Sequence, residues 1–396
     1  MKSGTGSGRM KVRIITSLSG LGLLIPAAAL AKALERYKVP VRLEFLEEIL
    51  TEKWCNRLFH AYENLAKKHA RLAKFITCHY GRFASHTFSL VWRDLVKNTS
   101  DDLAARKGDV YIVFHGYASR FVQKINEEFG GGNVLFEMHT NWGLSPHWTD
   151  TVPDGVRRLG PPGVKGVEAT GIPIEIFPMD RDGRGQAEER ILLMGGGWGL
   201  GNLLNTISSL RTQGKKVRVA IGDNFAVGER IINKFPAAYA NHDLQVYSLA
   251  CSAKTLMKTY GQKRTPSGAW YPKIREWDGR DALSPFVSAA AETVDAYPPF
   301  FYLKKGIDTI LTKPGGLTLS EAGTAGMNIY LLPAMNIQEQ WNRDVWLRSG
   351  AVRTFDGKNA CIDHPPLRKK KIVERMAPAS ALPFVTQLIR QRLENA

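Results

Sequence analysis

Cysteine is scarce: Cys55, Cys78, Cys251 and Cys361 are the only four in 396 residues. They are scattered, with no C-x-x-C pair and no zinc spacing, so they read as reduced packing thiols of a cytosolic protein. Long apolar runs are missing as well: no stretch free of charge and glycine reaches the roughly 18 residues that a membrane-spanning helix requires. Acidic residues are in deficit, 37 against 54 basic ones, which leaves a net charge of +17. That excess points to an anionic partner, whether nucleic acid, an acidic membrane surface or a phosphorylated substrate, and does not choose among them. What is present is ordinary for a globular protein, 44% hydrophobic and 23% charged, and long enough for two domains with proper cores.

The opening "KVRIITSLSGLGLLIPAAALAKAL" has the basic and apolar make-up of a secretory signal. Its finer pattern differs: residues 12–15 read as a short buried strand, 17–22 as a turn and 26–34 as a helix. This is the first strand–loop–helix unit of a nucleotide-binding fold. Phe45, Leu46, Ile49, Leu50, Trp54, Leu58, Phe59, Tyr62 and Leu65 then recur at helical spacing. They predict one long helix over about residues 45–75, its other face basic with Lys53, Arg57, Lys67, Lys68, Arg71 and Lys74. "DVYIVFHG" and "NVLFEMHTN" read as buried strands that leave His115 and His139 near their carboxyl ends.

Residues 171–189, "GIPIEIFPMDRDGRGQAEE", have linker composition. Beyond them the pattern restarts, with strands predicted over residues 190–194, 216–224, 306–312 and 328–334 and a helix over 202–211. Such alternation gives parallel sheets. The chain is therefore expected to be α/β, with a first domain over 1–176, a second over 177–375 and a helix in 376–396 packed on them. Ligands would sit in the cleft between the carboxyl ends of the two sheets.

Two glycine-rich stretches open helices, "MGGGWGLGN" (194–202) and "PGGLTLSEA" (314–322). In the second, Thr318 and Glu321 fit a T-x-x-E capping box. The same stretch also has a functional reading. Bare N–H groups at a helix N-terminus bind phosphate oxygens, and a carboxylate one turn further in accepts hydrogen bonds from ribose hydroxyls. The spacing is not GxxxxGK[ST], which excludes a P-loop kinase or ATPase.

"ILLMGGGWGLGNLLNTISSL" and "TKPGGLTLSEAGTAGMNIYLLPAMNIQEQWNRDVWLRSGAV" resemble the donor-binding half of glycosyltransferase family 28, two-domain GT-B enzymes that use UDP-sugars. The likeness extends to the monogalactosyldiacylglycerol synthases and to the peptidoglycan N-acetylglucosaminyltransferases acting on lipid I. It implies a GT-B fold, two Rossmann-like domains facing each other across a cleft. Gly196, Gly197, Gly315, Gly316, Leu317 and Thr318 would then contact the diphosphate, and Glu321 the ribose hydroxyls. Gln338 and Glu339 fall where the family places a polar pair on the donor sugar. Asn342 is either part of that segment or a helix-end cap. In "NVLFEMHTNWGLSPHW", Asn141 would be a sugar contact and His139 the catalytic group, with His115 next in line. For either histidine the alternative is a buried imidazole satisfied by hydrogen bonds. Two positions depart from the family pattern: Leu23 stands where its first loop carries histidine, and Glu175 where its linker carries arginine.

The function so implied is an inverting, metal-independent transfer of a sugar from a nucleoside diphosphate sugar, UDP-linked first of all, to a hydroxyl of a natural product or lipid. Lys313 and the N-terminus of the helix after it would stabilise the leaving diphosphate. No Asp-x-Asp stands in a suitable loop, so neither metal nor other cofactor is expected, and no nucleic-acid motif appears. The alternatives are a nucleotide-sugar hydrolase or epimerase on the same fold, or a non-catalytic nucleotide-sugar binder. Residues 250–297 should hold the base pocket, and Trp54, Trp142 and Trp148 would line a pocket for an aglycone. The basic helix and "RKKK" (368–371) suit a peripheral contact with the inner face of a membrane by an otherwise cytoplasmic protein.

Overall fold

The computed structural model describes residues 11–17, 21–69, 72, 75–76, 84–106, 108–130, 132–143, 147–149, 151–173, 190–196, 201–222, 224–249, 274–276, 307, 309–325, 327–355 and 380–394. The first half runs β1 (Val12–Thr16), α1 (Leu21–Arg36), β2 (Val41–Phe45), α2 (Leu46–Ile49), α3 (Glu52–Cys55), α4 (Ala61–Lys68), α5 (Ala84–Ala104), β3 (Val110–Val113), α6 (Gly116–Phe129), β4 (Val134–Met138), β5 (Val156–Gly160) and β6 (Glu168–Ala169). Its strands form one sheet of order β2-β1-β3-β4-β5-β6, parallel throughout.

The second half runs β7 (Arg190–Met194), α7 (Leu203–Thr212), β8 (Lys216–Ala220), α8 (Phe225–Lys234), α9 (Pro236–Ala240), β9 (Leu244–Leu249), β10 (Ile274–Glu276), β11 (Thr309–Thr312), α10 (Gly316–Thr324), β12 (Asn328–Leu331), α11 (Ile337–Ser349), β13 (Arg353–Thr354) and α12 (Leu382–Glu394). The second sheet is ordered β10-β9-β8-β7-β11-β12-β13, with β10 the one antiparallel edge.

The strand sequences explain this build. β1 "VRIIT", β3 "VYIV" and β11 "TILT" are buried at every position, as strands covered on both faces must be. Ile14, Leu30, Leu34 and Ile112 make one face of the first core, and Ile15, Val113, Phe121 and Trp92 the other. Leu192, Ile310 and Trp346 lie on one side of the second sheet, and Leu193, Val219 and Ile207 on the other. α12 returns to the first half, where Val385 and Ile389 pack in the core with Leu34.

Strand order reverses between β1 and β3 in one sheet and between β7 and β11 in the other. Crevices open at the carboxyl ends of such points. The two sets of carboxyl ends meet: a side chain added at Gly22, in the first turn of α1, would start 3.7 Å from Leu317 Cβ in the first turn of α10.

The single helix expected over 45–75 is not formed. Phe45 ends β2, the chain is extended at Leu50 and Thr51, and a π-helical turn, Asn56–His60, joins α3 to α4. The wider turn shifts the phase of the apolar face. Trp54 and Cys55 on α3 and Phe59 in the turn itself enter the core beside Phe88 and Trp92. These side chains are therefore unavailable to a membrane. Trp54 and Trp148 belong to this core and Trp142 to the second, so the three do not line one open pocket. Most of the proposed linker, with the 176/177 boundary, lies outside the described residues, as do residues 368–371 and nearly all of 250–297. Among the described residues no helix is long and apolar enough to cross a membrane.

Candidate active site

β11 ends at Thr312, and Lys313, Pro314 and Gly315 lead into α10, for which Gly315 is the N-cap with φ −72° and ψ 133°. Thr318 is thus inside the helix, and the capping box expected of Thr318 and Glu321 is not formed. Gly316 is required by proximity. A Cβ there would run into the Thr140 carbonyl oxygen and lie 2.7 Å from Asn141 Oδ1. Gly196, at the carboxyl end of the neighbouring β7, has φ +71°, and a Cβ on it would meet Lys313 Cε at 2.5 Å. The glycine therefore gives the lysine stem its bed.

Lys313 Nζ lies 2.6 Å from Glu339 Oε1, the lysine half-buried and the glutamate buried. Glu339 Oε2 accepts from the Met335 N–H at 2.7 Å, and Glu339 N–H donates to Asn336 Oδ1, the N-cap of α11, at 2.8 Å. The residue expected on the donor sugar is thus also half of a helix cap and the counter-ion of Lys313. Gln338 precedes it, half-buried, on the same turn. Glu321 is buried on the second turn of α10, whose Leu317 and Leu319 pack in the core.

Asn342 is not a helix-end cap. It is fully buried in mid-helix α11 and bridges the two sheets. Its Oδ1 accepts from the Trp142 N–H at 2.8 Å, and its Nδ2 donates to Pro314 O at 2.9 Å and to Asn141 Oδ1 at 3.0 Å. Trp142 meets Trp346 edge-on at 5.2 Å. The loop after β4 is in this way fastened to the mouth of α10.

The two histidines lie deeper in the first half. His115 caps α6, its Nδ1 accepting from the Tyr117 N–H at 3.1 Å, and its ring stacks on His147 at 5.2 Å. Burial, then the neighbouring His147, holds its pKa well below the ordinary value. A neutral ring with Nδ1 accepting carries its proton on Nε2, so His115 is set up as a donor and not as a base. His139 sits against Trp148, ring centroids 4.1 Å apart, with Nε2 3.7 Å from Glu137 Oε2, an ion-pair distance longer than a hydrogen bond. Burial lowers its pKa although Glu137 raises it, so the ring is neutral at pH 7. Burial opposes the charge of Glu137, yet His139, Ser119 and Arg158 around it overcome that and hold its pKa below the ordinary value. Ser119 Oγ donates to Oε1 at 2.5 Å and Arg158 Nε to Oε2.

The structure thus gathers Gly196, Lys313, Gly315, Gly316, Leu317, Thr318, Glu339 and Asn141 at one seam between the sheets. His139 and His115 stand in separate buried clusters behind it. Gly197 and Glu175 are outside the described residues. Leu23 is half-buried on the first turn of α1 and packs against the first core. Glu137, Arg158 and Asn336 were not singled out from the sequence. A polar residue amid the buried strand "VLFEM" was the available signal for Glu137. Among the described residues no group of three or more histidine, cysteine or acidic side chains is placed to hold a metal.

No protein-family model and no curated protein matches this chain. Solved structures are similar to it over nearly its whole length. One is MurG of Acinetobacter baumannii, 15% identical, covering 96% of this chain and 99% of that one with a TM-score of 0.46. A second is the glycosyltransferase SsfS6 of Streptomyces sp. SF2575 complexed with thymidine diphosphate, 13% identical, covering 96% and 99% with a TM-score of 0.47. A third is the spinosyn rhamnosyltransferase SpnG complexed with thymidine diphosphate, 11% identical, covering 98% and 96% with a TM-score of 0.48.

Proposed function

We propose that this chain is a glycosyltransferase that moves a sugar from a nucleoside diphosphate sugar, UDP-linked first of all, to a hydroxyl of a natural product or lipid. Transfer proceeds with inversion and without a metal. The observation that carries this reading is the seam itself: a glycine-started helix, a lysine bedded on Gly196 and an asparagine from the opposite sheet converge at two facing switch points.

The diphosphate binds at the first turn of α10, where the helix dipole and free N–H groups favour its charge. Lys313 adds a positive charge whose position is fixed by Glu339, so little reorganisation is needed as the leaving group gains charge. Glu321 holds the ribose, and Gln338 and Glu339 face the sugar. His139 is the base of choice, because its ring is neutral and Glu137 beside it stabilises the imidazolium formed when it takes the acceptor's proton. The acceptor oxygen attacks the anomeric carbon as the bond to the diphosphate breaks. No metal is assigned to this step because Lys313 and the helix terminus supply the positive field.

Thermal-shift titration with UDP-, TDP- and GDP-sugars tests the reading. A donor at about 100 times its dissociation constant stabilises by about 2.7 kcal/mol. Stabilisation by none of the three nucleotides removes the proposal. A second reading, donor binding without transfer, is favoured by the apolar Leu23 on the first turn of α1 and by Trp148 packed against His139. Tight UDP binding with no release or transfer of sugar would select it.

A further inference from the structure

We propose that Arg158 is a positioning residue for His139: paired with Glu137, it takes up the charge that would otherwise draw a proton onto the ring. The inference rests on the reading of His139 as the base, though the charge of the ring can be read without it. Three elements meet here. Glu137 on β4 is fully buried, and each of its oxygens is taken. Oε1 accepts from Ser119 on α6, whose own oxygen accepts from Gln123 Nε2 at 2.7 Å, so the serine hydrogen is left for the carboxylate. Oε2 accepts from Arg158 Nε on β5 and is also the oxygen 3.7 Å from His139 Nε2. Arginine and imidazole thus compete for one atom, and the arginine has the hydrogen bond.

Arg158 is itself held. Its side chain is buried, and its Nη2 donates to Thr149 Oγ1 at 2.6 Å and to the Thr151 carbonyl at 3.1 Å. The same segment carries Trp148 against the His139 ring. The His139 N–H donates at 2.8 Å to the Leu159 carbonyl, so β5 fixes the ring beside the guanidinium. Among the described residues Glu137 and Arg158 are the charged groups that act on the ring. Their charges offset one another, and burial then keeps the imidazole neutral. Without the arginine, Glu137 would be a buried carboxylate with no cation, a costly state. Ser119 would still favour its ionised form, so the relieving proton goes to His139 and not to Glu137. The ring would then meet the acceptor already charged, unable to take its proton.

The test follows the His139 ring nitrogens by NMR against pH, assigned with His139→Gln, in the wild type and in Arg158→Gln, Arg158→Lys and Glu137→Gln. The wild-type ring should gain its proton only below about pH 6.5. In Arg158→Gln the midpoint should rise to about 8, so that turnover at pH 7 falls about tenfold and recovers by about pH 9 with donor KM unchanged. Arg158→Lys, which keeps the charge, should stay near the wild type. An unmoved midpoint in Arg158→Gln overturns the inference, and turnover lost alike at every pH would then give the arginine a structural role alone. Should Arg158→Gln not fold, Glu137→Gln is compared with the double variant Glu137→Gln, Arg158→Gln. The ring must then take its proton at lower pH in Glu137→Gln, where the arginine charge stands alone, and equal midpoints overturn the inference. A wild-type midpoint above about 6.5 overturns it with no variant needed. A midpoint that moves as expected while turnover at pH 7 does not would keep the inference and remove His139 as the base.

Discussion

Glu321 can be tested apart from the helix that carries it, because Thr318 does not cap α10 and no capping box is lost with the side chain. Glu321→Ala should weaken UDP binding by about 1.5–3 kcal/mol. Unchanged affinity, with only the melting temperature lowered, would assign the residue to packing. His139→Gln should lower turnover about a hundredfold while donor affinity stays near wild type. Because burial lowers the pKa of His139, its base form persists below pH 6.5, and the acid limb of the rate profile should fall lower than for an exposed histidine. An acid limb at or above pH 6.5, or full turnover in the variant, would discard it as the base. Gly316 and Lys313 were legible in the sequence because their neighbours along the chain define a helix mouth. Asn342 was not, since its decisive partner Trp142 lies 200 residues away.

At the scale of elements, the strands that escaped reading carry charge. β2 "VRLEF" and β5 "VRRLG" break the apolar pattern, yet Glu44 and Arg158 are buried and paired inside the fold, while Arg42 and Arg157 face solvent. Arg13 of β1 donates to Asp109 and Glu44 at 2.5 Å each, and Arg106 reaches Glu44 at 2.9 Å. Asp109→Ala would leave the buried Arg13 Nε without its carboxylate and Glu44 as the remaining acid, shared with Arg106, and should cost about 1–3 kcal/mol in urea unfolding. A loss below about 1 kcal/mol would show that water reaches the arginine.

The His115–His147 stack gives α6 and the loop over it an acid sensitivity. Burial, then Arg120, pushes His147 down to about 4, whereas an unfolded histidine titrates near 6.5. Between those values the unfolded chain binds the extra proton, so stability must fall as pH drops from about 6.5 toward 4. The urea midpoint should drop less over that range in His147→Gln than in the wild type. Equal drops would place the effect elsewhere.

For the whole molecule, the alternation of strands and helices was enough to read two parallel sheets facing across a cleft. The 45–75 segment misled because Phe45 ends a strand, the chain is extended at Leu50 and Thr51, and a π turn follows at Asn56–His60, breaks that periodicity cannot show. Among the described residues nearby, Leu72 at 49%, Phe75 at 61% and Ile76 at 37% are exposed. A soluble acceptor predicts that anionic vesicles do not float the protein at physiological salt. Flotation that falls with salt and is lost in a Leu72→Ser, Phe75→Ser double variant would move the acceptor to the lipid class.

Among the described residues the chain leaves the first half after β6 and is back in it at α12, and the two places touch: the Ala381 N–H donates to the Ile172 carbonyl at 3.3 Å. Two tethers side by side behave like a door hung on paired straps. Such a pair is expected to allow a swing more readily than a twist when the seam between Asn342 and Asn141 opens. A protease cut at any bond in 174–189 would sever one strap, and α12 would still carry its half back, with the two fragments migrating as one particle.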